Sequence, residues 1–444
     1  MRIELSGHYS YSRILKTIIP SILMMLAISV YSIVDGIFVS NFVGTTAFAA
    51  LNLVYPVMMI VGALGIMIGT GGNALVAKIK GEGNMHHANE IFSLLIAVTI
   101  VIGIVSSTLL FIFIPKIALA LGAEQGEMLK DCVIYARILL ISMVAFMLQM
   151  DFQSFYMAAE RPQLGTKITI ICGCINIVLD ALFIVVFKWG LVGAAIATMI
   201  AQFIGGIFPL YYFLTKRNKS SLRLIRFSID YHAIIKACTN GLSEFVGNIA
   251  LSIVSVCYNI QLMKYVGENG VAAYGILMYL GFIYAAFLIG YNIAISPIIS
   301  YNYGAKNRPE LQSLFKKSFT LMLVSGIALT LLAQTICSGV VSFFVGYDEV
   351  LYNFTVRAYR IYMLSFILCG IIIFSSALFT ALNNGIVSAV AAFTRTLIFE
   401  MGAVFILPAI LGIDGIWLSV NVAEILATIV SVGLILSLRK RYWA

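Results

Sequence analysis

Asp35 is the one charged residue in the 61 positions that separate Lys16 from Lys78. A run of that length holds two membrane spans, so the carboxylate falls inside the first of them. An ionised group there costs about 2.5–3.5 kcal/mol even on the lenient insertion scale, and must be paired, protonated or bound to a cation. Asn176 and Asp180 are four residues apart and share one helix face. Ala194, Thr198 and Gln202 repeat that spacing on the next apolar segment, where Ala194 is small enough to let neighbouring backbones close in. Counted inward from the ends of their spans, Asp35, Asp180 and Thr198 fall within roughly 6 Å of one another in depth at ~1.5 Å per residue. Two carboxylates, an amide and a hydroxyl at one level can hold Na⁺ through oxygen ligands. They can equally hold a proton, because two adjacent carboxylates cannot both stay ionised in low dielectric.

The elements that must position these groups are apolar helices. At 61% hydrophobic and 11% charged residues, with mean hydropathy +1.02, the chain is far from soluble composition, where charge runs near ~25%. It reads as an all-α polytopic membrane protein with twelve transmembrane helices, from a span near 14–39, through a fourth near 133–157, to a last near 415–437. The first apolar run is too long for a signal-peptide core and lacks a small-residue cleavage pattern, so it is expected to stay as a real span. Twenty of the 28 Lys and Arg fall on one side of the twelve-span topology, which puts both termini in the cytoplasm. That placement accounts for the net charge of +9 and argues against a nucleic-acid partner. The seven cysteines lie in or at the ends of apolar segments as packing residues, and the four histidines lie in polar connections.

The chain repeats itself at an offset of 223, with Phe42-Val43-Gly44 returning as Tyr265-Val266-Gly267 and Gly81 and Asn84 as Gly304 and Asn307. A one-residue slip then gives 222, pairing Ala159 with Ala381, and Gly190 and Gly193 with Gly412 and Gly415. Two parallel six-helix pseudo-symmetric lobes result, 1–214 and 237–444, joined by a basic cytoplasmic linker at 215–236. The repeat is an internal control on the oxygen set. Asp35 maps to Tyr258, Asn176 to Ile398, Asp180 to Gly402 and Thr198 to Val420, so none of the set recurs as shared packing would.

The second lobe has its own charges: Glu244, Arg395, Glu400 and Glu424. Glu244 and Arg395 lie at similar depth and could pair; Glu400 and Glu424 lie nearer the midplane, where substrate sites of such folds are found. Tyr31, Met59 and Tyr258 are candidates to line an adaptable apolar cavity with cation–π capacity. Pro20 removes a backbone hydrogen bond and permits a bend in the Asp35 helix. Asp151, flanked by Gln149 and Gln153, is one more intramembrane acid without an assigned role. No enzyme or ATP-binding motif competes: G-x-S-x-G, H-E-x-x-H and the phosphate-cradling G-x-x-x-x-G-K-[ST] are all missing from the sequence, and no cofactor is expected.

Pro20, Asp35-Gly36 with Val43-Gly44, Pro56, the Gly81-Glu82-Gly83-Asn84 loop and its copy at Gly304, and above all Asn176-x3-Asp180 followed by Gly190-x2-Gly193-Ala194-Ala195-x2-Thr198 resemble the multidrug and toxic compound extrusion (MATE) family over essentially the whole chain. The resemblance implies two lobes in a V, alternating access, and export of cationic and amphipathic small molecules from a prokaryotic cytoplasmic membrane, by a monomer, against inward H⁺ or Na⁺ flow. It implies a coupling site at Asp35, Asn176, Asp180 and Thr198 with the Ala194 carbonyl, and a seventh-helix acid at Glu244. The chain departs at Gly370-Ile371-Ile372, where some branches carry an aspartate, and at Glu160-Arg161-Pro162, where Gly-Lys-Pro is frequent. A flippase of lipid-linked sugars would favour a basic cavity, and a membrane-embedded transferase would need an exposed polar re-entrant loop; the paired acids and the apolar spans favour the antiporter.

Overall fold

The computed structural model describes residues 4–123, 125–215, 218–346 and 348–443. In chain order the α-helices are α1 Tyr11–Phe42, α2 Thr45–Gly81, α3 Met85–Ala120, α4 Glu127–Ile141, α5 Met143–Ala158, α6 Pro162–Asp180, α7 Gly190–Leu214, α8 Tyr231–Tyr265, α9 Glu268–Gly304, α10 Arg308–Val345, α11 Glu349–Tyr362, α12 Phe366–Ala381, α13 Gly385–Phe393, α14 Met401–Leu411 and α15 Ile413–Trp443. Among the described residues, eleven helical stretches are long and apolar enough to cross a membrane, and α4 with α5 makes a twelfth, bent by 58°. The described residues contain no strand. Several starts are capped as their sequences dictate: Ser10, Asn84, Asp230, Asn307 and Asp348 each accept a backbone N–H of the first turn.

The repeat is written into the turns. Gly44 and Gly267, Gly83 and Lys306, and Glu160 and Asn383 all adopt positive φ at an offset of 223, and Gly190 and Gly412 do so at 222. Three non-glycine residues therefore accept left-handed backbone at positions the architecture requires. The slip expected before Ala159 comes later, within the fifth span of each lobe. There α6 continues into a π-helical stretch at Ala181–Val186, and the second lobe places its own at Thr394–Glu400 between α13 and α14.

The fourth and tenth spans break at equivalent points. Ser142 separates α4 from α5 and its hydroxyl donates back to the Leu139 carbonyl at 3.0 Å. A 3₁₀ turn at Met363–Ser365 separates α11 from α12, where Ser365 donates to the Tyr362 carbonyl at 2.8 Å. By contrast α1 runs as one helix through Pro20, whose carbonyl accepts from Thr166 Oγ1 at 2.6 Å. The pronounced bend lies at Ser142 rather than at Pro20.

Glycines bring the lobes together in the halves nearest the termini. A Cβ on Gly71 would collide with the Ala237 carbonyl, one on Gly241 with Met67, one on Gly81 with Tyr301 and one on Gly304 with Lys78, so α2 packs backbone to backbone on α8 and α9. Gly290 likewise admits Ile22 of α1, where a Cβ would stand 2.6 Å from its Cα. Near the opposite ends of α1 and α9, a Cβ added at Gly36 or Gly275 would meet nothing within 4 Å. The segment before α1 crosses to the second lobe: Leu5 and Tyr9 are buried in its core, and Glu310 accepts the Tyr9 amide at 2.8 Å. Within the linker, 218–225 lies down on the first lobe, with Leu222 buried and the Ile225 amide donating to Ser93 Oγ at 2.8 Å.

Candidate cation site

The site forms where α1, α6 and α7 meet. Gly173 of α6 lets the Tyr31 ring approach so closely that a Cβ there would lie 3.0 Å from it. One helical turn further along α1 and two turns further along α6, Asp35 and Asp180 face each other within side-chain hydrogen-bonding reach. Asn176, a turn before Asp180, points its Nδ2 at Thr198 Oγ1 of α7 at 3.5 Å. Asn176 and Asp180 are buried, and Asp35 and Thr198 are partly so. Ala194 is buried one turn before Thr198, keeping α7 close. All five residues expected from the sequence therefore come together.

The pair of acids is short of donors. No hydrogen-bond donor among the described residues reaches Asp35 Oδ1 or either oxygen of Asp180. Ionised carboxylates only accept, so two facing each other make a hydrogen bond only when a proton sits between them. A cation bridging both oxygen sets satisfies the same geometry. The π stretch begins at the residue after Asp180, and the helix that carries the site is thus irregular at the point where its carboxylate projects.

Tyr135 of α4 was not expected. It is buried within electrostatic reach of Asp35, Asp180 and Tyr55. A fourth span starting near 133 leaves residue 135 at its end; in the structure α4 starts at Glu127 and meets α5 at a 58° bend. Ser142 also donates to Gln202 Oε1 at 2.6 Å, and Gln202 lies one turn beyond Thr198 on the same face of α7. Bend and site are thereby tied through one helix.

The second-lobe acids depart from expectation. Arg395 does not pair with Glu244; its Nε donates to Glu424 Oε1 at 3.0 Å, because the π stretch turns it toward α15. Glu244 and Met59 remain partly exposed, as does Tyr31. Tyr258 is fully buried, stacked on Tyr274 with ring centroids 4.8 Å apart, and Glu400 is 7% exposed. Both side chains are thus covered in this conformation. Asp151 is buried too, accepting from Thr99 Oγ1 at 2.7 Å. No group of three or more His, Cys, Asp and Glu with metal-site geometry occurs among the described residues.

Two six-span lobes related by a parallel repeat, with an acidic pair inside one of them, define a multi-pass membrane transporter and not an enzyme. The MatE family model matches residues 20–182 and 245–406, and the chain belongs to that family. The Multidrug export protein MepA of Staphylococcus haemolyticus (strain JCSC1435) is 23% identical over 461 residues, covering 99% of this chain and 97% of the relative. Its namesake from Staphylococcus aureus (strain N315) is also 23% identical, over 445 residues, covering 99% and 98%. Among solved structures, one titled an outward-facing conformation of a multidrug resistance MATE family transporter superposes with TM-score 0.91 at 23% identity, covering 98% of both chains. A MOP superfamily transporter from Pyrococcus furiosus gives 0.90 at 24% identity, covering 99% and 97%.

Proposed function

We propose that this protein is an antiporter that exports organic cations and amphipathic drugs by alternating access, driven by H⁺ or Na⁺ moving inward through the first lobe. The observation that carries the reading is the donor-poor pair Asp35–Asp180, completed by Asn176, Thr198 and the Ala194 carbonyl. A site built to be satisfied by one positive charge is a site whose occupancy can be exchanged. The export proteins named above, which span nearly the same length, support the substrate class.

Both termini lie in the cytoplasm of a prokaryotic cell by the Lys and Arg distribution, and the lobes are 1–214 and 237–444 with the linker 215–236 between them. The backbone contacts at Gly71, Gly81, Gly241 and Gly304 then close the cytoplasmic side, which corresponds to an outward-directed state. Substrate meets Glu244, Tyr31 and Met59 in the cleft between the lobes, and the chain works as a monomer. Movement uses the break at Ser142, with Pro20 as a secondary point of bending.

The test is uptake of ethidium into inverted proteoliposomes under imposed pH and Na⁺ gradients, varied separately. Coupled transport is expected to follow one or both gradients and to vanish in Asp35→Asn and in Asp180→Asn. Undiminished gradient-driven transport in Asp35→Asn would overturn the coupling role.

A further inference from the structure

The second lobe contains a buried polar cluster that the first-lobe site does not use. Arg395 is the second residue of the π stretch and Glu400 its last, while Glu424 faces them from α15. Arg395 Nε and Nη2 both donate to the same oxygen, Glu424 Oε1, and Nη2 also reaches Cys369 Sγ at 3.4 Å. Glu424 Oε2 is left with no donor, on a residue only 2% exposed. The Tyr258 hydroxyl, on a residue 0% exposed, has no partner either. Its closest backbone donor, the Val420 amide, belongs to the interior of α15 and is committed to that helix. Glu400 lies within electrostatic reach of Arg395, Glu424, Tyr258, Tyr274 and Tyr362.

Two carboxylates against one guanidinium leave an excess of one negative charge inside the membrane, which is costly unless something positive joins it. The unpartnered oxygens of Glu424 and Tyr258 mark where. The repeat places the cluster on the same three spans as the first-lobe site: Tyr258 is the mate of Asp35 at 223, and Glu424 is the mate of Gln202 at 222. Glu400 stands two residues before Gly402, the mate of Asp180. The second lobe thus offers oxygen from its first, fifth and sixth helices with a different choice of residues.

We propose that Glu400, Glu424 Oε2 and the Tyr258 hydroxyl form a second site for a single positive charge, a proton or Na⁺, with Arg395 as the positioning residue that fixes Glu424. The groups facing Glu400 are Arg395 on its own span, Glu424 from α15, Tyr258 from α8, Tyr274 from α9, Tyr362 from α11 and Cys369 from α12. Arg395 is spent on Glu424, and the tyrosines and Cys369 supply no positive charge, so Glu400 exchanges the ligand.

The test uses purified full-length protein carrying Asp35→Asn and Asp180→Asn, which silences the first-lobe site. Saturable ²²Na⁺ binding and the number of protons released between pH 5 and 9 are measured per chain. We expect about one bound Na⁺, or about one proton in excess of those released by the same protein with Glu400→Gln added, in which the four histidines and the amino terminus give the background; which of the two is found names the ligand. Tyr258→Phe, which changes no charge, is expected to weaken the residual binding or shift the residual titration by about tenfold, the equivalent of one hydrogen bond of roughly 1.4 kcal/mol. Glu400→Gln alone must keep the first-lobe response, which checks that the variant is folded. If that variant does not fold, Glu424→Gln replaces it, because its amide oxygen still accepts from Arg395. No residual Na⁺ or proton in the Asp35→Asn, Asp180→Asn protein, or a residual untouched by the second-lobe substitutions, overturns the proposal. Neither result bears on dye export, which tests the first-lobe coupling by itself.

Discussion

Gly81 and Gly304, mates in the repeat, lie back to back: a side chain on either would run into the backbone of the helix that carries the other. The closure of the two lobes on the side of the termini depends on this contact and on its neighbour between Gly71 and Gly241. In neither pair can a rotamer change relieve the clash, because the atoms met are main-chain oxygens.

Gly81→Ala or Gly304→Ala should therefore weaken this closure by about 1–3 kcal/mol, the usual cost of overpacking, or about 5–150-fold in the balance of states. Distance measurements between spin labels placed on the two lobes will show it. Unchanged distance distributions in both variants would mean that the closed side is held elsewhere.

Tyr9 and Glu310 suggest a second device at the same face. The segment before α1 is fixed by the Tyr9 amide on Glu310 at 2.8 Å, by His8 Nδ1 on the other Glu310 oxygen at 2.7 Å, and by Lys317 Nζ on the Tyr9 carbonyl at 2.6 Å. Glu310→Ala leaves the Tyr9 amide and His8 Nδ1 without their acceptor, and amide exchange in residues 4–10 should accelerate at least tenfold, about 1.4 kcal/mol of lost protection. Hydrogen exchange followed by mass spectrometry reads this directly.

Lys80 is 4% exposed and donates to the Ala158 carbonyl at 2.6 Å, Ser221 Oγ at 2.8 Å and Glu160 Oε1 at 3.2 Å. It pins the turn after α5 and the linker to α2. Lys80→Met removes the positive partner of a buried acid, which costs about 3–5 kcal/mol. A large fall in Tm is expected in detergent, partly restored by adding Glu160→Gln. A single variant as stable as the parent would refute the role.

Thr198→Val installs the residue that the repeat places in the second lobe, Val420, with little change in shape. It removes the oxygen that Asn176 meets at 3.5 Å. Cation affinity of the first-lobe site should fall about fivefold, near 1 kcal/mol, with the maximal transport rate far less affected. Titration of transport against Na⁺ and against pH separates the two.

Much of the site was legible in the sequence because its signals are local. A lone acid in a long apolar run is costly wherever the helix goes, and a spacing of four puts Asn176 beside Asp180 in any α-helix. Turn positions such as Gly44 and Gly267 recur because the same backbone geometry is needed twice. These are properties of one segment at a time, so the residue order by itself determined them, and with them the class of protein.

What only the tertiary structure decided is how each helix is rotated and which neighbour it meets. In a bilayer the outer face of a helix is as apolar as its packed face, so hydrophobic periodicity does not tell which side points inward. Hence the partner of Arg395 turned out to be Glu424 rather than Glu244, and Tyr258 and Glu400 are buried. Tyr135 lies near the acidic pair, and the span that carries it breaks at Ser142, whose hydroxyl meets Leu139 and Gln202. A bend made by one serine hydroxyl and by packing has no proline to announce it. It exists only once the helices are assembled.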